Sequence, residues 1–226
     1  MNSSEQRFYY SSELLHVVNG NTNAAVLLSI CKARQELENL GQEPGGSIYW
    51  SKEGVGSATG LNRWSLDSAR TLLRKTGVLT EKVGWQSKLE FYIDLDLLDQ
   101  QIARLIPDPA KKAGREEIPM SQEILHFTGK NVYAALMLSY AMIRQKAANE
   151  TQSPEKFGIY WPMQQKEWYR LFGLTRSKQE SARKVLLKTG CWKERQWGWP
   201  AQNEFHLDLE QLITIEPQLA NEPTGM

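Results

Sequence analysis

The sequence predicts an α+β, helix-rich chain in which one small domain is written twice. Two observations carry that expectation. SARTLLRKTG (Ser68 to Gly77) returns 113 residues later as SARKVLLKTG (Ser181 to Gly190), and the likeness continues on both sides. GLNR (Gly60 to Arg63) meets GLTR (Gly173 to Arg176), IYW at Ile48 meets IYW at Ile159, and SSELLH (Ser11 to His16) meets SQEILH (Ser121 to His126). NAAVLLS (Asn23 to Ser29) meets YAALMLS (Tyr133 to Ser139), and GWQSKLEFYIDL (Gly84 to Leu95) meets GWPAQNEFHLDL (Gly198 to Leu209). The offset drifts only from 110 to 114 residues, so the insertions are loop-sized. A repeat this long is a duplicated domain rather than a solenoid unit of about 20–50 residues. The second observation is that each copy runs through the same succession of apolar and turn-forming segments.

In order, Asn23 to Leu37 is crowded with apolar residues and holds no Gly or Pro, as does Tyr133 to Ala148. Both read as largely buried helices. A Gly/Pro-rich break leads to Ile-Tyr-Trp, a short β-type run. Lys52 to Ala58 forms a short helix that Gly60 ends, and Gln164 to Leu171 is its counterpart with larger side chains. Asn62 and Thr175 then cap a third helix. At about 100° per residue, Leu66, Ala69, Leu72 and Leu73 share one side of it, and Arg63, Trp64, Asp67, Thr71 and Arg74 the other. In copy two Arg176, Ser177, Glu180 and Lys184 take the outer side, while Gln179 falls where Leu66 falls. Gly77 and Gly190 end the helix. Val78 to Val83 and Leu89 to Leu95 read as the strands of a hairpin, and Leu97 to Ile106 as a closing helix. Helix, short strand, helix, turn, helix and hairpin make a winged helix-turn-helix. The expected organisation is therefore two tandem winged helix-turn-helix domains from an internal duplication, over residues 1–106 and 120–216. An exposed linker occupies 107–119 and a flexible tail 217–226.

With AALMLSYA, IYW, EWYRLFGLTRSKQESARKVLLKTG and PAQNEFHLDLEQL on the page, the chain resembles winged-helix proteins of phages, plasmids and other mobile elements. The tandem arrangement is also similar to that of two-winged-helix theta-plasmid initiators. The resemblance covers most of both repeats and implies replication initiation or gene control.

Composition narrows the classes further. With 41% hydrophobic and 23% charged residues, packed cores are expected and wholesale disorder is not. No apolar run approaches the length of a membrane span, and MNSSEQRFYY lacks a signal-peptide core, so a cytoplasmic protein without a membrane partner is expected. Cys31 and Cys191 stand at non-equivalent positions and read as small buried apolar residues. No Cys/His spacing suggests zinc, no phosphate-binding Gly loop with Lys-Ser/Thr is present, and no nucleophile has a base partner. The expectation is a non-enzymatic protein without cofactor or metal. The net charge of +1 hides a segregation. Residues 62–88 carry six Lys/Arg against two Asp/Glu, and residues 175–203 seven against two. Local patches of this kind set the potential that a phosphate backbone meets.

The candidate DNA-contacting residues follow from these segments. Copy one offers Arg63, Trp64, Asp67, Thr71, Arg74, Lys82 and Lys88. Copy two offers Arg176, Ser177, Lys178, Glu180, Lys184, Lys193 and Arg195. Arg63 and Arg176 open the third helix, where an arginine can hold guanine O6 and N7. Trp64 has two readings, a thymine methyl or another protein. Arg70 and Arg183 flank the apolar side, and with Glu90, Asp94, Glu204 and Asp208 they suggest salt bridges from helix to wing. Lys82, Lys88, Lys193 and Arg195 bracket the hairpins, where wings touch phosphate or the minor groove. Trp85 and Trp199, at the tips, could stack on sugar or bases, but packing onto Trp50 and Trp161 is favoured. His16 and His126 lie in apolar sequence. The expected function is sequence-specific double-stranded DNA binding, as an origin-binding initiator or a transcriptional regulator of a mobile element. The alternative is a protein-interaction adaptor, with copy one holding a partner or a second protomer. Copy one is net acidic, nine Lys/Arg against eleven Asp/Glu over residues 11–99, and copy two is thirteen against nine over 121–212.

Overall fold

The apolar run Ala24 to Cys31, in the first half of a 20-residue helix, is buried on every side. A helical stretch without a polar face belongs in the middle of its core, and the rest of the first unit is built around it. The computed structural model describes residues 8–41, 48–83, 89–107, 117–151, 159–199 and 201–215. The fold is α+β with small antiparallel sheets, and the chain divides into two units, Met1–Glu117 and Ile118–Met226.

Unit one runs β1 (Phe8–Ser11), α1 (Ser12–Val17), α2 (Thr22–Gly41), β2 (Ile48–Trp50), α3 (Lys52–Thr59), α4 (Arg63–Thr76), β3 (Leu79–Val83), β4 (Leu89–Ile93) and α5 (Leu95–Leu105). Unit two repeats the order with β5 (Glu117–Met120), α6 (Gln122–Phe127), α7 (Val132–Thr151), β6 (Trp161–Pro162), α8 (Gln165–Phe172), α9 (Arg176–Lys188), β7 (Trp192–Trp197), β8 (Gln202–Leu207) and α10 (Leu209–Ile215). Each unit has a three-stranded antiparallel sheet, ordered β2-β4-β3 in one and β6-β8-β7 in the other. The central strand sends alternate residues inward, with Leu89, Phe91 and Ile93 buried in unit one and Phe205 and Leu207 in unit two.

A glutamine ties the long helix to the sheet in both units. Gln145 of α7 accepts at Oε1 from the Leu207 backbone N–H (2.8 Å) and from Trp161 Nε1 (3.2 Å). Its Nε2 donates to the Ile159 carbonyl at 3.0 Å and to Asn149 Oδ1 at 2.9 Å. Gln35 of α2 stands at the equivalent position and accepts from the Ile93 N–H at 3.1 Å. Both amides are fully buried, so their bonds satisfy donors that water cannot reach. The cores around them differ. Unit one packs mainly aliphatic residues such as Leu27, Leu28, Ile48 and Leu73, whereas unit two joins Tyr140, Trp161, Trp168, Phe172, Trp192 and Phe205 through edge and tilted ring contacts.

Several expectations are corrected here. The strands β1 and β5 and the short helices α1 and α6 precede the long helix. Their brevity gives too little periodicity to read. Of the linker expected over 107–119, residues 108–116 lie outside the described residues, and Ile118 and Pro119 are instead buried in β5, where Met120 Sδ accepts from Ser139 Oγ at 3.4 Å. Three successive apolar residues outweigh the flanking charges there. The closing helix begins at Leu95 rather than Leu97, since Asp94 is its N-cap and accepts from the Leu97 N–H at 2.9 Å. The tail expected over 217–226 lies outside the described residues. No helix among the described residues is long and apolar enough to cross a membrane.

Cys31 and Cys191 are free and buried, as expected of small apolar side chains. Burial pushes the Cys31 thiol up to about 12 and raises that of Cys191 as well. Both are therefore neutral thiols at pH 8, and an aromatic disulfide reagent should label neither in the native protein and both after denaturation. Gln145→Leu should destabilise unit two by about 2–6 kcal/mol, because the Leu207 N–H and Trp161 Nε1 each lose a partner at roughly 1–3 kcal/mol. A lower urea midpoint with unchanged slope, followed by tryptophan fluorescence, is the expected result.

Candidate nucleic-acid interface

The third helix of each unit begins after a tight turn. Gly60 (φ 67°) and Gly173 (φ 64°) end the preceding helix in the left-handed region, which glycine adopts without strain. Leu61 and Leu174 then enter the core. Asn62 caps α4 by accepting from the Ser65 N–H at 2.9 Å. Thr175 occupies the same place before α9 but its side chain makes no cap hydrogen bond. Gln179 replaces that support. It is buried where unit one has Leu66, and its Nε2 donates to the Gln165 carbonyl at 3.0 Å and the Leu174 carbonyl at 2.6 Å. The polar residue on the apolar side of this helix is thus a lock on the turn.

Facing away from the core, Arg63, Trp64, Asp67, Thr71 and Arg74 of α4 are all exposed, as are Arg176, Ser177, Glu180 and Lys184 of α9. Trp64 is 84% exposed. Arg176 Nε donates to Glu180 Oε1 at 2.8 Å, a solvent-facing i,i+4 pair worth about 0.3–0.5 kcal/mol and readily exchanged for another anion. Thr71 Oγ1 donates to the Asp67 carbonyl at 2.8 Å and accepts from Arg74 Nη2 at 3.3 Å. Among the described residues Arg63 and Lys184 meet no carboxylate.

The helix is fastened to the hairpin by an ion pair that recurs in both units. Arg70 grips Glu81 on β3 through Nε and Nη2, and its Nη1 donates to Asp67 Oδ1 at 2.8 Å. Arg183 grips Glu194 on β7 in the same way, and that hydrogen bonding holds its guanidinium above its ordinary pKa. The helix-to-wing bridge expected from sequence is present, but its acid is different. Glu90 accepts from Tyr49 Oη at 3.4 Å, Glu204 binds Arg195, and Asp94 and Asp208 cap the closing helices. The first hairpin strand lies beside the helix, so its acid is the one within reach. Glu81 and Glu194 each lie 11 residues beyond their arginine, a repeated spacing that could have identified them.

On the wings the candidates divide. Lys82 is exposed on β3, while Lys88 and Trp85 lie outside the described residues. Lys193 Nζ reaches Asp208 Oδ2 at 3.4 Å, and the Asp208 carboxyl is held low by the Gln211 N–H and then by this lysine. Arg195 is half-buried, with Nε donating to Glu204 Oε2 at 2.7 Å and its guanidinium 4.0 Å over the Tyr160 ring. Lys178 turns off the outer face and lies 4.9 Å over the Tyr133 ring, where burial lowers its pKa. These two cations are engaged internally, Lys178 on the flank of its helix and Arg195 across the sheet face toward Glu204 and Tyr160. Trp199, expected to pack on Trp161, is instead 99% exposed, since the turn at Gly198 (φ 85°) carries it past the end of the sheet. His16 and His126 point to solvent from the last turns of α1 and α6.

No family model matches the chain, and no similar curated protein or solved structure was found.

The side chains of Arg70 and Glu81 are 11% and 5% exposed, those of Arg183 and Glu194 35% and 15%. Arg70→Met strands a buried carboxylate and should cost about 3–5 kcal/mol. The double variant Arg70→Met/Glu81→Leu should recover most of that loss in urea denaturation, and Arg183→Met should cost less than Arg70→Met.

Proposed function

We propose that each unit is a winged helix-turn-helix domain and that the chain is a sequence-specific double-stranded DNA-binding protein without enzymatic activity. The helix order, the tight turn before α4 and α9 and the hairpin after them support that assignment. Tandem duplication accounts for the repeated sequence and the repeated element order. The observation that carries the functional proposal is the outward face of the third helix. It offers exposed arginines at its first turn, Arg63 and Arg176, on a helix fastened to its hairpin by a bidentate ion pair. An arginine there can read guanine in the major groove while its neighbours bind phosphate.

Two linked heads raise affinity through effective concentration, and they differ in sequence, so the two half-sites differ. The resemblance to mobile-element proteins points to an origin or a promoter as the target. Unit two carries the larger positive excess and serves as the principal head. Trp64, 84% exposed with Ser177 at its place in unit two, supports a second reading in which unit one holds a protein partner or a second protomer.

Arg176→Ala should leave the thermal midpoint nearly unchanged, because surface substitutions usually stay within about 0.5 kcal/mol. It should weaken binding to a site selected from a random DNA pool by about 1–3 kcal/mol and relax selectivity at one base pair. Equal losses for Arg63→Ala would indicate two working heads, and loss at Arg176 alone would make unit one the adaptor. A steep fall of affinity with salt should accompany binding, since each neutralised phosphate releases counterions. Salt-independent binding, or no loss at either arginine in a folded protein, would refute the DNA-binding proposal.

A further inference from the structure

Alternation along β7 places Lys193, Arg195 and Trp197 on the sheet face opposite the buried Trp192. On that face the side chains stack. The Tyr160 ring lies 5.3 Å from the His206 ring, the Arg195 guanidinium lies 4.0 Å over Tyr160, and the same guanidinium is 5.1 Å from the Trp197 ring centroid. Gly198 turns the chain, and Trp199 stands at the tip, 99% exposed, beside Trp197 at 64%. Two tryptophans in water at one hairpin end forgo the roughly 25 cal/mol per Å² that burial returns, which marks them as a surface made for contact.

We propose that this outer face of the second wing, from Tyr160 through Arg195 and Trp197 to Trp199, is a stacking platform for unpaired DNA bases. The proposal rests on the DNA-binding function above and adds a second substrate class, locally opened DNA. Charge separates the occupants. Residues 196–203 contain no charged side chain, and Arg195 is matched by Glu204. The tip is therefore poorly suited to duplex phosphates. A neutral π surface with the Gln202 amide opposite Trp197 on the same face instead suits a nucleobase, which stacks by its face and hydrogen-bonds by its edge. Behind the tip on the same face, exposed Lys193 reaches Asp208 Oδ2 at 3.4 Å, a loose pair that an attached phosphate can replace. Bases within a duplex have both faces covered by their neighbours, so the platform selects bases released from pairing. In unit one Tyr49 and Lys82 hold the places of Tyr160 and Arg195, with the Tyr49 hydroxyl turned to Glu90. Trp85, the repeat counterpart of Trp199, lies outside the described residues.

The test uses the full chain, a fluorescein-labelled duplex and the same duplex with a central mismatched bubble, read by anisotropy. The wild-type protein should bind the bubble more tightly, by about 5- to 150-fold per stacked base. Trp199→Ala and Trp197→Ala, both at exposed positions, should erase that preference while leaving duplex affinity and the thermal midpoint unchanged, and Trp199→Phe should retain most of it. Equal affinity of the wild-type protein for the two probes would overturn the platform and leave duplex binding standing. So would an equal loss on both probes in the tryptophan variants, which would make the tip a duplex contact. Binding of neither probe would overturn the DNA-binding function and the platform together.

Discussion

The arrangement of the candidate interface depends on one contact, the arginine–glutamate fork between the third helix and the first hairpin strand. Arg70–Glu81 and Arg183–Glu194 each join the third helix to the first hairpin strand. A planar guanidinium meeting a carboxylate through two parallel hydrogen bonds sets both distance and angle. It also holds the helix face and the hairpin in one fixed relation. In unit one the pair is nearly dry and joined by Asp67, whereas in unit two it is half open to solvent. Burial of an ion pair adds little net stability and much geometric definition.

The buried glutamine does the corresponding work at the back of each unit. It reaches from the buried side of the long helix to the end of the central strand, and so aligns helix and sheet where apolar packing alone would tolerate sliding. The glutamine and the ion pair are present in both units, while the cores differ, mainly aliphatic in one and aromatic in the other. Volume and patterning can be met by many apolar sets, but a directional polar contact has few substitutes.

Divergence on the surface follows the same division. Unit one exposes Trp64 on its third helix and is net acidic, while unit two exposes Trp197 and Trp199 on its wing and is net basic. A unit with fixed internal clamps can vary its outer side chains at little cost to folding, since exposed positions have few partners to lose.

The sequence by itself determined the repeat, the helix order, the left-handed glycine turns at Gly60 and Gly173, and the outward face of α4 and α9. These depend on local spacing and on backbone conformations only glycine adopts easily, both of which a linear string records. The exposed positions of Arg63, Arg74, Arg176 and Lys184 were legible for the same reason. Only the tertiary structure decided what a buried glutamine does in each long helix, and that Ile118 and Pro119 belong to a strand. It also drew Lys178 and Arg195 into internal contacts and left Trp199 in solvent. Each of these turns on the distance between elements far apart in the chain, or on where a hairpin ends relative to its sheet. Such distances are set by packing, and charge and hydropathy along the sequence do not encode them.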